Sequence, residues 1–319
     1  MDKFSGDNAI YRDSLYGTTP EATYAGAVSF ARRKYTRDLE GVDLVVSGVP
    51  LDTATTNRPG ARFGPRAIRA ASTIMAWERP YGMDFDPFDK LAVVDYGDCL
   101  FDFGRPEAVP GEIEAHASAI IEQGPGLLSL GGDHFITYPL LQAYAKKFGA
   151  PISLLHFDAH SDTWADEDGR IDHGTMFYHA TKEGIIDPKT SVQIGLRTQN
   201  PDTLDFNILD GPWVQENGVA AVIEQTRGFI GDRPVYLTFD IDCLDPSYAP
   251  GTGTPVCGGL SSYQAMSIIR GLRGINIIGM DIVEVAPAYD VGEITALAGA
   301  HLAMEMICVY ASRPGCDKP

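Results

Sequence analysis

Seven stretches of the chain are almost continuously apolar and stop at Gly, Asp, Pro or another polar residue. They are DLVVSGVPLD (43–52), LAVVDYGD (91–98), GLLSLGGDH (126–134), PISLLHFDAH (151–160), SVQIGLR (191–197), RPVYLTFDID (233–242) and INIIGMDIVEV (275–285). A strand with one wet face alternates apolar and polar residues. A strand buried on both faces does not, so these runs point to a mostly parallel sheet. Between them the period is that of helices. GPRAIRAASTIMAW (64–77) has Pro65 near a helix start, and TYPLLQAYAKKFG (137–149) ends in lysines and a glycine, as helix C-termini prefer. PEAVPGEIEAHASAIIEQG (106–124) closes on a glycine, and SSYQAMSIIRGLRG (261–274) offers Ser261 or Ser262 as N-cap. EITALAGAHLAMEMICVYAS (293–312) is the longest periodic stretch. This alternation predicts a doubly wound α/β sheet with helices on both faces. No linker, internal repeat or low-complexity tract divides the chain. Residues 1–40 read as an N-terminal arm or cap and 41–319 as one domain.

Three of the runs end in ionisable residues. One ends in Asp133 and His134, one in Asp158 and His160 with Asp162 next, and one in Asp240 and Asp242 with Asp245 beyond. Side chains of an extended segment alternate, so Asp158, His160 and Asp162 share a side, as do Asp240 and Asp242. In a parallel sheet these ends lie on the C-terminal rim, where ligands bind. The expected cluster is therefore His134, Asp158, His160, Asp162, Asp240 and Asp242. Each Asp taken singly reads equally well as a helix cap or turn residue. Caps do not require D-x-H-x-D, D-x-D and a His on a third strand end together. Asp133 and Asp245 keep the structural reading.

Four carboxylates so close would raise one another's pKa, and burial would add to the rise. Two divalent cations remove the conflict, and two bridging carboxylates would give each ion four protein ligands. A set dominated by carboxylate, with some imidazole and no thiolate, suits Mn2+ better than structural Zn2+. Two neighbouring ions can share and ionise a water near neutral pH. His173, in the loop DHGTMF, and Glu284, near the end of the last apolar run, are further candidates beside the cluster. The loops APGTGTPVCGG (249–259) and GVPLDTATTNRPGARFGPR (48–66) are suited to close approach, and the second lacks the order of a phosphate loop. His116, His179 and His301 read as structural. His156 shares the face of Asp158 and is placed to support it.

Composition narrows the picture. With 319 residues, 44% hydrophobic and 21% charged, the chain can bury a large core. No apolar run suggests a membrane span, and the polar, acid-bearing N-terminus lacks a secretory signal. Five scattered cysteines without a C-x-x-C pair suggest neither a zinc ribbon nor a disulfide framework, and a reducing cytoplasm fits. A net charge of -18 disfavours nucleic acid and anionic membranes and mildly favours a cationic ligand.

With these residues assembled, the chain resembles the ureohydrolase superfamily of arginases and agmatinases. The motifs are GGDHF (131–135), FDAHSDT (157–163), DHGTMFY (172–178), FDIDCLDPSYAPGTGTP (239–255) and DIVEVAP (281–287), in family order. AWE (76–78), HGTMFY and EITALA (293–298) look more like bacterial agmatinases than arginases. The resemblance implies a three-layer α/β/α fold around a mostly parallel sheet of about eight strands, with 41–319 as the catalytic domain. It implies two Mn2+ per subunit. His134, Asp158, Asp162 and Asp240 would hold one, and Asp158, His160, Asp240 and Asp242 the other. It further implies that Glu284 seats a guanidinium, that Asp162 handles the nucleophile's proton and that His173 protonates the departing amine. A homo-oligomer, trimer or hexamer, is expected on the same ground.

The substrate is the finer question. Arginases of this superfamily carry Asn two positions after the residue matching Asp162 and use it on the substrate's α-carboxylate. Here Trp164 stands there, with one N–H donor and a large apolar face. That disfavours arginine and favours agmatine, whose far ammonium Asp166, Glu167, Asp168 or Asp172 of ADEDGRID could receive. Guanidinobutyrate or guanidinopropionate is the alternative, with Arg170 as the nearby cation. Metal-dependent deacetylation is more distant, since it needs a single Asp/His/Asp site. A non-enzymatic metal-binding protein would be expected to lack His173 or Glu284.

Overall fold

The seven apolar runs all become strands, and two very short ones join them at the edges. The computed structural model describes residues 8–11, 14–17, 22–76, 79–166 and 168–316. Trp77 and Glu78 of the AWE motif, Glu167, and part of the expected N-terminal arm lie outside the described residues.

The strands are β1 (Lys34–Tyr35), β2 (Leu44–Val49), β3 (Val93–Asp98), β4 (Gly126–Gly131) and β5 (Ser153–Phe157). They continue with β6 (Val192–Ile194), β7 (Asn207–Leu209), β8 (Val235–Asp240) and β9 (Ile277–Val283). These nine form one sheet in the order β1-β3-β2-β4-β9-β8-β5-β6-β7. Every neighbouring pair is parallel, so the sheet is wholly rather than mostly parallel. The strands missed from sequence, β1 and β7, are short edge strands only partly buried, so they carry no continuous apolar run. The arm expected over residues 1–40 contributes to the body: Phe30 and Ala31 are buried, and β1 pairs with β3.

Alternate residues feed two cores, one on each face of the sheet. Leu128, Leu155, Phe157, Leu237, Phe239 and Ile282 enter the first, with helices Gly64–Ser72, Gly211–Ile230, Ser262–Gly271 and Ile294–Ala311. Leu127, Leu154, Tyr236 and Val283 enter the second, with helices Val109–Ile121, Thr137–Phe148 and Met176–Lys182. The result is three layers, α/β/α.

Local signals account for several helix ends. Ser261 closes a capping box: its hydroxyl accepts from the Gln264 amide, and Gln264 accepts from the Ser261 amide. The helix over Gly211–Ile230 escaped the sequence reading because Gly218, at φ 77 and ψ 173, breaks its period. Ile294–Ala311 shows why composition alone does not mark a span. It is long and apolar enough to cross a membrane by composition, yet 78% of it is buried here, against Gly64–Ser72 and Ser262–Gly271. Gly132 admits a close approach that shapes the site. A Cβ there would lie 1.6 Å from the Leu51 carbonyl oxygen, so only glycine lets the 52–60 loop lie against the end of β4.

Candidate active site

Strands β4, β9, β8 and β5 are contiguous at the centre of the sheet, and the predicted ionisable residues follow their C-terminal ends. The alternation expected to align Asp158, His160 and Asp162 does not run that far, because β5 stops at Phe157. A tight turn gathers them instead. The His160 amide donates to Asp158 Oδ1 (2.6 Å), the Ala159 amide donates to Asp242 Oδ1 (3.1 Å), and Asp162 takes φ 53. In the same way β8 stops at Asp240, whose Oδ1 accepts from the Asp242 amide (2.8 Å). Glu284 follows β9 at φ 64, with its amide on the Gly132 carbonyl (2.8 Å). Two key carboxylates thus stand on left-handed backbone that costs roughly 1–3 kcal/mol each and persists only where the surroundings enforce it.

All six residues expected in the cluster meet. His134 Nδ1 lies 3.0 Å from Asp158 Oδ2, 3.1 Å from Asp162 Oδ2 and 3.3 Å from Asp240 Oδ2. His160 Nδ1 lies 3.2 Å from Asp158 Oδ1 and 3.1 Å from Asp242 Oδ2. Asp158 is common to both groups, one oxygen to each.

The donor set fits cations on its own terms. His134 Nε2 lies 2.8 Å from the Thr238 hydroxyl, which itself donates to Asp281 Oδ1 (2.5 Å). The Thr238 proton is therefore spent on Asp281, and the His134 proton sits on Nε2. In the neutral ring that leaves Nδ1, which has no hydrogen-bond partner, as the buried nitrogen facing three carboxylates, where a proton or a cation can sit. Spacings of 3.0–3.3 Å are those of adjacent ligands around one ion with bonds of about 2.1 Å. The electrostatics agree. Burial resists a proton on His134, but Asp158, Asp162 and Asp240 outweigh it and hold its pKa well above the ordinary value. Burial likewise opposes charge on His160, yet Asp242 and Asp158 push it up to about 12. Burial and neighbouring carboxylates raise Asp162, Asp240 and Asp242. Burial works against Asp158 too, but His156, His134 and His160 keep it well below the usual carboxylate range. Cations between these groups relieve all of the conflicts at once.

His156 supports the cluster without being free to bind. The Gln193 amide donates to its Nδ1 (3.0 Å), and its Nε2–H donates to Asp158 Oδ2 (2.8 Å). It belongs to a row of buried polar residues that crosses the sheet at matching register: Ser47, Ser129, Asp281, Thr238, His156 and Gln193. Asp281 anchors the row, accepting from Thr137 (2.9 Å), Tyr236 (2.8 Å) and Thr238. Sequence reasoning missed Thr238, Asp281 and Gln193. The available signal was a polar residue inside each otherwise apolar strand.

A cleft of about 280 Å³ opens over the cluster. His160, Asp162 and Asp240 form its floor, and Trp164, Asp172 and His173 its walls. The Trp164 ring stands 6.5 Å from that of His160, centre to centre. Among the described acids of ADEDGRID, only Asp172 lines the cleft, and Arg170 pairs with it at 2.8 Å. Glu284 lies beneath, almost fully buried, its Oε1 accepting from the His134 amide (2.9 Å) and lying 3.2 Å from His173 Nδ1. Its Oε2 faces Gly253, where a Cβ would come within 3.3 Å of it. Burial opposes a charge on His173, but Glu284 overcomes it and the ring is pushed up to about 9. Asp133 caps the turn that carries His134, accepting from Phe135 (3.1 Å) and from Ala54 (3.0 Å). Asp245 holds its own turn through Ser247 (3.0 Å) and Gly258 (2.8 Å). His116, His179 and His301 bond to Ser47, the Arg170 carbonyl and the Leu297 carbonyl, outside the cleft.

A parallel α/β/α sheet with an imidazole–carboxylate metal cage on its C-terminal rim, under a cleft walled by loops, defines a metal-site hydrolase architecture. Residues 42–308 match the Arginase family, and the chain belongs to that family. It is 59% identical to an agmatinase of Chromobacterium violaceum over 97% of this chain and 96% of the relative. Its fold is similar to a crystal structure of a hypothetical agmatinase from Burkholderia thailandensis, with TM-score 0.94 and 60% identity over 96% of this chain and 97% of that one. It is also similar to proclavaminate amidino hydrolase from Streptomyces clavuligerus, with TM-score 0.86 and 36% identity over 92% and 99% of the two chains.

Proposed function

We propose that this protein hydrolyses agmatine to urea and putrescine with two Mn2+ held by His134, Asp158, His160, Asp162, Asp240 and Asp242. The observation that carries the reading is the cleft itself: a cage on the floor, and Trp164 and Asp172 on the wall. A tail bearing an ammonium suits an aromatic face and an ionised carboxylate; a tail bearing an amino acid's carboxylate does not. Burial opposes ionisation of Asp172, but Arg170 and the Gly174 amide hold its pKa below the ordinary value, so it is charged at neutral pH. The relatives named agmatinase support the same choice.

When bound, the two ions supply a nucleophilic water ionised near neutral pH. The chain's own residues do the rest. Glu284, fixed by the His134 amide and by His173, offers a carboxylate to the planar guanidinium and holds its carbon over the cage. Asp162, at the cleft floor, accepts the hydrogen bond of the attacking water and takes its proton. His173 delivers a proton to the departing nitrogen as its bond to carbon breaks, so that this end of putrescine leaves as a neutral amine, its far ammonium unchanged, and urea remains. The Trp164 ring covers the methylene chain and excludes water beside His160. We expect the chain to act as a homo-oligomer, trimer or hexamer, in a reducing cytoplasm; all five of its cysteines are unpaired.

A second reading, guanidinobutyrate or guanidinopropionate, is favoured by Arg170, which neutralises Asp172 and offers a cation to an anionic tail. One assay separates the readings. Urea release is measured from agmatine, arginine, 4-guanidinobutyrate and 3-guanidinopropionate, with Mn2+ and after exhaustive chelation. Agmatine is expected to be turned over fastest, and only with metal. Preference for arginine would refute the role given to Trp164, and full activity after chelation would refute the cage.

A further inference from the structure

His173 faces the cleft, yet both of its nitrogens are engaged. Nδ1 addresses Glu284 Oε1 at 3.2 Å. Nε2 meets two atoms of one residue, the Thr56 amide at 3.0 Å and the Thr56 hydroxyl at 2.8 Å. We infer that Thr56 is a positioning residue for His173, its amide serving the neutral ring and its hydroxyl the protonated one.

The argument is one of donors and acceptors. An amide N–H only donates, so it requires a lone pair on Nε2 and places the ring proton on Nδ1, towards Glu284. A hydroxyl both donates and accepts. Once Nε2 carries a proton, the amide contact becomes unfavourable and the Thr56 oxygen is the acceptor already in reach. A small slide of the ring from one atom of Thr56 to the other then accompanies proton uptake. Burial opposes that uptake, and Glu284, beside Nδ1 at 3.2 Å, favours it. The Thr56 amide, donating to Nε2, is thus the partner that keeps the neutral, proton-accepting form available.

The loop bearing Thr56 is built for placement. Ala54 donates to Asp133 (3.0 Å), the Thr55 hydroxyl to the Asp52 carbonyl (3.0 Å), and Asn57 to the Gly253 carbonyl (2.9 Å). Asp52 in turn accepts from the Gly60 amide (2.8 Å). Two of these ties reach separate segments, at Asp133 and Gly253, and two lie within the loop, which explains the run of Thr and Asn in TATTNRPG better than solvation does.

The turnover arm of the test rests on the function proposed above; the spectroscopic arm does not. Thr56→Val keeps shape and amide but removes the hydroxyl, and Thr56→Ser keeps both polar groups. With the full chain loaded with Mn2+ and agmatine as substrate, Thr56→Val is expected to lose about tenfold in kcat with KM and metal content unchanged. Thr56→Ser is expected to stay near the parent. The reverse pattern would mean that the methyl group fills space, and it would overturn the inference, as would any other pattern. Independently, 15N NMR of the parent protein is expected to find neutral His173 protonated on Nδ1; a proton on Nε2 would also overturn it. A parent chain that releases no urea from agmatine sinks the function proposed above, and the NMR result still judges Thr56.

Discussion

The floor and the wall of the cleft are built on opposite plans. The floor stands on strand ends at the centre of the sheet, with His134, Asp158 and Asp242 almost wholly buried and a polar row beneath them. The wall consists of loop residues, Thr56, Trp164, Asp172 and His173, held by bonds from side chain to backbone and open to solvent on one side. A floor of this kind moves only if the sheet moves. A wall of this kind can change its chemistry while the floor stays intact, so one cage can serve different guanidino compounds.

Substitutions should therefore divide into those that lose metal and those that do not. The largest effect is expected for Asp240→Ala, which removes a carboxylate from the shared floor. Bound metal should fall, and activity with it by on the order of a thousandfold or more; elemental analysis that found full occupancy would break the comparison. His173→Ala, on the wall, should keep its metal and lose about a hundredfold in kcat. Metal loss in that variant would place His173 on the floor instead. Asp281→Asn never touches the cleft, yet it takes away the acceptor that sets Thr238 and through it His134. Metal affinity should weaken by about 10–100-fold, read by calorimetry.

The pH dependence of metal binding sharpens the same point. The neighbouring carboxylates raise His134 and His160, the latter to about 12, so an ion that takes their lone pairs must release protons. Affinity should therefore rise with pH, by up to about tenfold per pH unit for each proton released. Affinity that stayed flat between about pH 6 and 9 would contradict that. The smallest effect belongs to Asp172→Asn. Its carboxylate is partly exposed and already paired with Arg170, so KM for agmatine should rise only several-fold while metal content and kcat hold. If turnover of 4-guanidinobutyrate improved in parallel, the wall would be acting as the specificity element.

Much of this was legible without coordinates because burial leaves a pattern. The seven runs fell where the most buried strands lie, since strands covered on both faces do not alternate. Edge strands β1 and β7 and the helix interrupted at Gly218 left no such pattern. The six cluster residues were readable because acids and imidazoles are rare at the ends of buried strands. The reason first given for their convergence was incomplete, since turns and left-handed backbone at Asp162, rather than a continuing strand, bring them together. Thr56 left no signal at all, because a threonine in a polar loop looks the same whether or not it faces a histidine.

The sequence by itself determined seven of the nine strands, the layered α/β class and the identity of the ionisable cluster, because these follow from periodicity and from motifs local in the chain. Only the tertiary structure decided how the cluster is oriented and supported. The Thr238–Asp281 relay to His134, the Gln193–His156 support of Asp158 and the Thr56 contact on His173 join segments far apart in sequence. Hydrogen-bond direction depends on atoms meeting within about 3 Å, and that meeting is a property of the packed sheet and loops, not of any one stretch of chain.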